Sequence, residues 1–188
     1  MAVGEPRRRR CRVPPGRCET SLLIAVALLA GACHYRAGGR TSWNASRGSV
    51  AYLAEARGGV VGQLEGDPAP DDPNGWMIAP EFGLAVGVEE GDFRVRSSFA
   101  LPSYKYVRGA WGAQMLVDVV GDFGADDQHG WGPELRLGLL REVSRRDYEM
   151  KLVALDITAA HLFGDRDGWV FGLGGSFGHL DQKQRQLK

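Results

Sequence analysis

From about residue 49 the chain consists of short segments in which large apolar residues alternate with small or polar ones, broken by Gly, Asp and Pro. No stretch keeps a 3.6-residue period for long, whereas a period of two places successive side chains on opposite faces of an extended chain. In 76–88 the even positions Ile78, Pro80, Phe82, Leu84, Val86 and Val88 are apolar, with Ala79, Glu81, Gly83, Ala85 and Gly87 between them. Segments 93–101, 111–119, 131–139 and 169–179 repeat the pattern; Trp131, Pro133, Leu135, Leu137 and Leu139, for example, oppose Gly132, Glu134, Arg136 and Gly138. In 148–158 the apolar set shifts from Tyr148, Met150 and Leu152 to Val153, Leu155 and Ile157, which predicts a bulge. The segments 49–64, 76–88, 92–101, 103–108, 109–120, 130–143, 147–160 and 168–179 predict an all-β domain, an antiparallel up-and-down barrel of about eight strands. The larger connections, 65–75, 121–130 and 163–168, are expected at one end and the tight turns at the other.

Which face points inward is decided by the minor face. It mixes Gly and Ala with four cations, Arg94, Arg96, Arg136 and Lys151, and four anions, Glu81, Asp118, Glu134 and Glu149. A narrow lumen needs small side chains for room and paired charges to offset desolvation, whereas a solvent-facing strand loses propensity through so many glycines. The expected barrel therefore turns its greasy face to lipid. Trp76, Trp111, Trp131, Tyr148 and Trp169 sit at or near strand starts, where amphipathic rings lie at headgroup level. The alternative is a soluble barrel carrying a small apolar ligand, with Phe82, Leu84, Phe99, Met115, Leu137 and Phe171 as its core.

The segment before the barrel changes where such a domain belongs. Arg7, Arg8, Arg9, Arg10, Arg12 and Arg17 precede the apolar run at 21–29, and Ala30-Gly31-Ala32 is a small-residue cleavage site. Together these predict an export signal over 1–32, too short an apolar run to span about 30 Å of hydrocarbon. Without it the chain holds 17 basic and 21 acidic residues, a formal charge of −4, with no basic stripe, so nucleic acid is not an expected partner. Cys33 is then the single cysteine left, and no internal disulfide is expected. Residues 33–48 read as a polar, glycine-bearing tether, 49–180 as the barrel domain and 181–188 as a polar tail.

Leu29-Ala30-Gly31-Ala32-Cys33 resembles the lipobox of bacterial lipoproteins, with Ala30 where those more often carry Leu. The resemblance implies a thioether-linked diacylglycerol on Cys33, membrane lipid as partner and a lipid-anchored place in the bacterial outer membrane. Residues 49–179 resemble the small eight-stranded outer-membrane barrel proteins, although the polar tail Asp181–Lys188 stands where members of that group end on an aromatic residue.

Candidate chemistry is sparse. Ser176 and His179 are three apart on a strand and so face opposite sides, and no zinc pattern, P-loop or dinucleotide fingerprint occurs. No enzyme activity and no cofactor beyond the lipid are expected. The exception is acidic: Asp71 and Asp72, with Asp126 and Asp127, are candidate ligands for Ca²⁺ if their loops share one end. The expected role is structural, or that of a narrow pore or surface.

Overall fold

The computed structural model describes residues 34–60, 62–63, 75–108, 110–125, 127–146 and 149–181, and of 62–63, 75–79, 101–104, 106–107, 145–146, Glu149 and Asp181 the backbone alone. The signal over 1–32, Cys33, Asp71, Asp72, Asp126, Tyr148 and the tail beyond Asp181 lie outside the described residues. Eight strands form one antiparallel sheet: β1 His34–Asn44, β2 Ser49–Gly59, β3 Gly75–Glu89, β4 Asp92–Arg108, β5 Trp111–Gly124, β6 His129–Arg146, β7 Glu149–Gly164 and β8 Gly168–Asp181. Gly62 and Gln63 extend β2 by two more pairs with β3. Each strand pairs with its sequence neighbours, and β1 pairs with β8 from His34↔Leu180 to Asn44↔Val170, so the sheet closes on itself. Closure removes the sheet edges that would otherwise invite aggregation.

The registers fix the barrel's dimensions. Asn44 pairs with Val170, and from there partners run through Ala160, Glu134, Asp118, Ala100, Glu81 and Gly59 to His34. One circuit thus returns to β1 ten residues from its start, the separation of positions 44 and 34. With strands about 4.8 Å apart and about 3.3 Å per residue, that stagger means a tilt of roughly 40° and a backbone radius of about 8 Å. Such a barrel has room for its own side chains and little else.

The expected strand count is reached by different strands. His34–Asn44 is the first strand and not part of a tether, while 92–101 and 103–108 are one strand. In β1 the inward positions are His34, Arg36, Arg40, Ser42 and Asn44 and the outward ones Tyr35, Ala37, Gly39, Thr41 and Trp43. With charge inside and small residues outside, the period of two carries no apolar signal. In β4 the break at Leu101-Pro102 is a register shift opposite another at Pro80, so two prolines that cannot donate to the ladder share one irregularity.

Two further expectations are corrected. The bulge belongs to β6, where the register shifts between Glu142 and Ser144; β7 alternates without a break, Met150, Leu152 and Ala154 all being buried. The connections at 45–48, 90–91, 125–128 and 165–167 share a distal end, while the strand ends flanking 60–74 lie at the terminal end, with His34 and Asp181. The three larger connections are therefore split between the two ends. The two-residue turn Glu90-Gly91 has φ of 53° and 93°, the double left-handed geometry that matches the twist of a hairpin.

Candidate functional site: the charged lumen

Strand parity places the charges. Even positions of β1, β4, β5, β6, β7 and β8 and odd positions of β2 and β3 are the buried ones, apart from the shift after Pro102 that turns Lys105 inward. The inward set includes Arg36, Arg40, Arg57, Arg94, Arg96, Lys105 and Arg136, together with Glu81, Glu89, Asp118, Asp122, Glu134 and Asp156. Arg166 reaches in from the 165–167 turn and Glu55 is nearly as deep. Eight cations thus face seven anions among the described residues. Near-equality is what a low-dielectric interior demands, because an unpaired charge there costs several kcal/mol.

The pairs form one continuous network along the axis. At the distal mouth Glu89 Oε2 is ion-paired with Arg94 Nε at 2.9 Å and Arg166 Nη1 at 2.6 Å, and its other oxygen accepts from Arg166 Nη2 at 2.8 Å and from Ser49. Arg166 Nη1 lies 3.6 Å from Asp122, which accepts from Arg96 Nη2 at 2.6 Å. At mid-height Arg40 donates to Glu134 at 2.8 Å and to Glu55 at 2.9 Å, and Arg136 donates to the same two carboxylates at 3.3 and 2.7 Å. Below them Arg57 bonds Asp118 at 2.5 Å, Ser98 at 2.8 Å and Glu81 at 3.2 Å. Glu81 also accepts from Lys105, with His34 Nε2 at 3.4 Å and Arg36 Nη2 at 3.6 Å. Arg36 Nη1 donates to Asp156 at 3.2 Å, and Asp156 accepts from Gln114.

Two glycines make the network possible. A Cβ on Gly83 would collide with Ser98 Oγ and crowd Arg57, and one on Gly138 would collide with Asp156 and Gln114. At the terminal end the filling becomes apolar, with Met150, Leu152 and Leu180 in one buried cluster. A second apolar cluster, Val120, Ala160, Leu162 and Val170, lines the distal part. The interior is plugged along its length by side chains.

Of the residues singled out in sequence, Glu81, Arg94, Arg96, Asp118, Glu134 and Arg136 come together inside. Lys151 does not: it is exposed, since the inward positions of β7 are even. The side chain of Glu149 lies outside the described residues. Sequence reasoning missed Arg36 and Arg40, lost with β1, and Glu55, Arg57, Glu89, Lys105, Asp122, Asp156 and Arg166. Glu89 and Asp122 share the parity of a residue already chosen on the same strand, Glu81 and Asp118, whereas Lys105 and Asp156 have the opposite parity to the candidates on theirs. Arg166 carries no such signal, because a turn residue has no parity.

The outward face carries a greasy belt. Phe99, Met115, Leu137 and Phe171 are each 40% or more exposed, and Phe82 and Leu84 also point outward, so the core expected for a soluble ligand carrier is not a core. Its middle is aliphatic, with Val117, Val119, Leu135, Leu139, Leu155, Ile157 and Leu173. Its distal rim is an arc of touching rings: Trp43 on Phe171, Phe171 on Trp169, Trp169 on His161, His161 on Phe163 and Phe163 on Trp131, with centroids 4.9–6.2 Å apart. Near the terminal rim Tyr35 stacks on His179 at 5.5 Å and Arg141 caps Trp111 at 5.3 Å. Trp111 and Phe123, twelve residues apart on β5, are separated along the axis by roughly 30 Å at the rise and tilt above.

Of the acidic candidates only Asp127 is among the described residues. Asp127 is exposed at the distal end, whereas the strand ends flanking the segment that contains Asp71 and Asp72 are at the terminal end. Among the described residues no group of three His, Cys, Asp or Glu is placed to hold a metal ion. No protein-family model matches the chain, and no curated protein or solved structure matches it either.

Proposed function

We propose that the chain is a bacterial envelope lipoprotein whose barrel spans the outer membrane as a closed, non-conducting and non-catalytic body with a structural or surface role. The observation that carries this reading is the inversion of the barrel: ion pairs fill its inside while a belt of Val, Leu, Ile and aromatic residues faces out. In water that belt would be an apolar patch far beyond the few hundred Å² that soluble monomers tolerate. In a bilayer it is the expected surface, an apolar band about 25 Å tall between two aromatic girdles. The lipobox-like Cys33 adjoins His34, which opens β1 at the end where Asp181 closes β8. A periplasmic lipid anchor and periplasmic termini then lie on the same side.

The test is migration of the envelope-fraction protein on a detergent gel with and without boiling. A shift on boiling is expected, because a closed barrel resists detergent until heated. Identical migration, with release of the protein from membranes when Cys33 is replaced, would refute the spanning barrel.

A further inference from the structure

The outward belt is interrupted on one side of the barrel by a groove. Where β2, β1, β8 and β7 lie side by side, an apolar groove of about 540 Å³ opens outward, lined by Gly39, Thr41, Ala54, Leu155, Leu173 and Gly175 among others. Gly39 and Gly175 are cross-strand partners. A Cβ on Gly39 would meet only the Leu53 carbonyl oxygen at 3.8 Å, and one on Gly175 only that of Ala154, also at 3.8 Å. Neither glycine has a positive φ. The barrel itself therefore has no need of glycine at these two positions, in contrast to Gly83 and Gly138. Glycine in a strand interior costs propensity and marks a place where something approaches closely from outside.

We propose that this groove seats an acyl chain of the diacylglycerol carried by Cys33, so that the lipid anchor is packed against the barrel wall. The inference rests on the lipoprotein reading above. Cys33 is bonded to His34, the first residue of β1, and the outward positions that follow are Tyr35, Ala37, Gly39 and Thr41. Gly39, five residues from His34, stands about 12 Å above the terminal rim at the tilt given above. One leaflet contributes about 15 Å of hydrocarbon, so a chain anchored at the rim ends at the depth of the groove. Attachment at the foot of the same strand also gives this chain an effective concentration that free lipid must compete against.

The test uses the full-length protein in cells fed a fatty acid with a terminal diazirine, irradiated and then digested for mass analysis. The expected product joins the Cys33 peptide to residues of the groove, above all Leu155 and Leu173. Filling the groove with Gly39→Leu and Gly175→Leu is expected to lower that product at least about fivefold, through loss of the tethered chain's favoured site. If the double variant fails to fold, the distribution of adducts in the unaltered protein decides alone. Lipidated Cys33 joined to residues all round the barrel, or only to neighbouring phospholipid, overturns the inference and leaves the lipoprotein reading intact. Groove residues joined to peptides of a second copy overturn it in favour of a dimer. A Cys33 peptide without lipid overturns both.

Discussion

Replacing Arg57 with Ala is the sharpest perturbation of the lumen. Arg57 is 1% exposed and touches three carboxylates, Asp118 at 2.5 Å, Glu81 at 3.2 Å and Glu55 at 3.4 Å. Without it Glu81 keeps Lys105 and Arg36, and Glu55 keeps Arg40 and Arg136. Asp118 keeps only Arg136 Nε, at 4.0 Å. It becomes a buried carboxylate with almost no counter-charge, a situation that costs about 3–5 kcal/mol. A loss of about 4 kcal/mol changes the unfolding constant by roughly a thousandfold, and for a domain of this size lowers Tm by roughly 10 °C. Unfolding in guanidinium after refolding into detergent micelles measures it. Asp118→Asn in the Arg57→Ala background removes the orphaned charge and is expected to recover about 1–2 kcal/mol, a coupling that a double-mutant cycle isolates. A loss below about 1 kcal/mol for Arg57→Ala, or an Asp118→Asn penalty that simply adds to it, would refute the network as the lumen's organising element.

Four further outcomes are expected. Leu137→Arg, near the middle of the outer belt, should cost about 2–4 kcal/mol in lipid vesicles and leave the fold nearly unchanged if that face meets water; folding yield in vesicles separates the two. Planar bilayers containing the purified protein should show no steady conductance, whereas Ala at Arg40, Arg57 and Arg136 together leaves five cations against seven anions in the lumen and should open small cation-selective currents. Raising NaCl from about 0.05 to about 1 M should move Tm little, since buried pairs are weakly screened, and a large salt-induced fall would place the pairs in solvent. Gly91→Ala forces a side chain onto a φ of 93° and should cost about 1–2 kcal/mol in thermal unfolding, with Glu90→Asn at the neighbouring left-handed position neutral or stabilising.

The alternation in 76–88, 111–119 and 131–139 made the barrel legible because large apolar residues mark every second position there. Where outward residues are small, as Ala37 and Gly39 are, the same geometry leaves no hydrophobic trace, and β1 reads as a tether. Pro102 hides the continuity of β4 for a different reason: a proline breaks the ladder locally, and nothing in the sequence says whether the strand resumes. The inward charges of β4, β5 and β6 were readable from parity. Their partners across the lumen were not, since Arg57 and Asp118 are 61 residues apart and meet only through the ten-residue stagger of the closed sheet. The division of the larger connections between the two ends follows from the merger of 92–101 and 103–108, which leaves three strands where four are expected between the first two of those connections.

The most direct measurement of the central claim is quenching of the native tryptophan fluorescence by spin-labelled lipids after reconstitution. Trp43, Trp111, Trp131 and Trp169 all lie near the rims of the greasy face, so a barrel spanning the bilayer should be quenched strongly by a label just below the headgroups and less by one near the bilayer centre. Emission that neither label quenches would mean that this face does not meet lipid, and the account of an inverted, membrane-spanning barrel would fall.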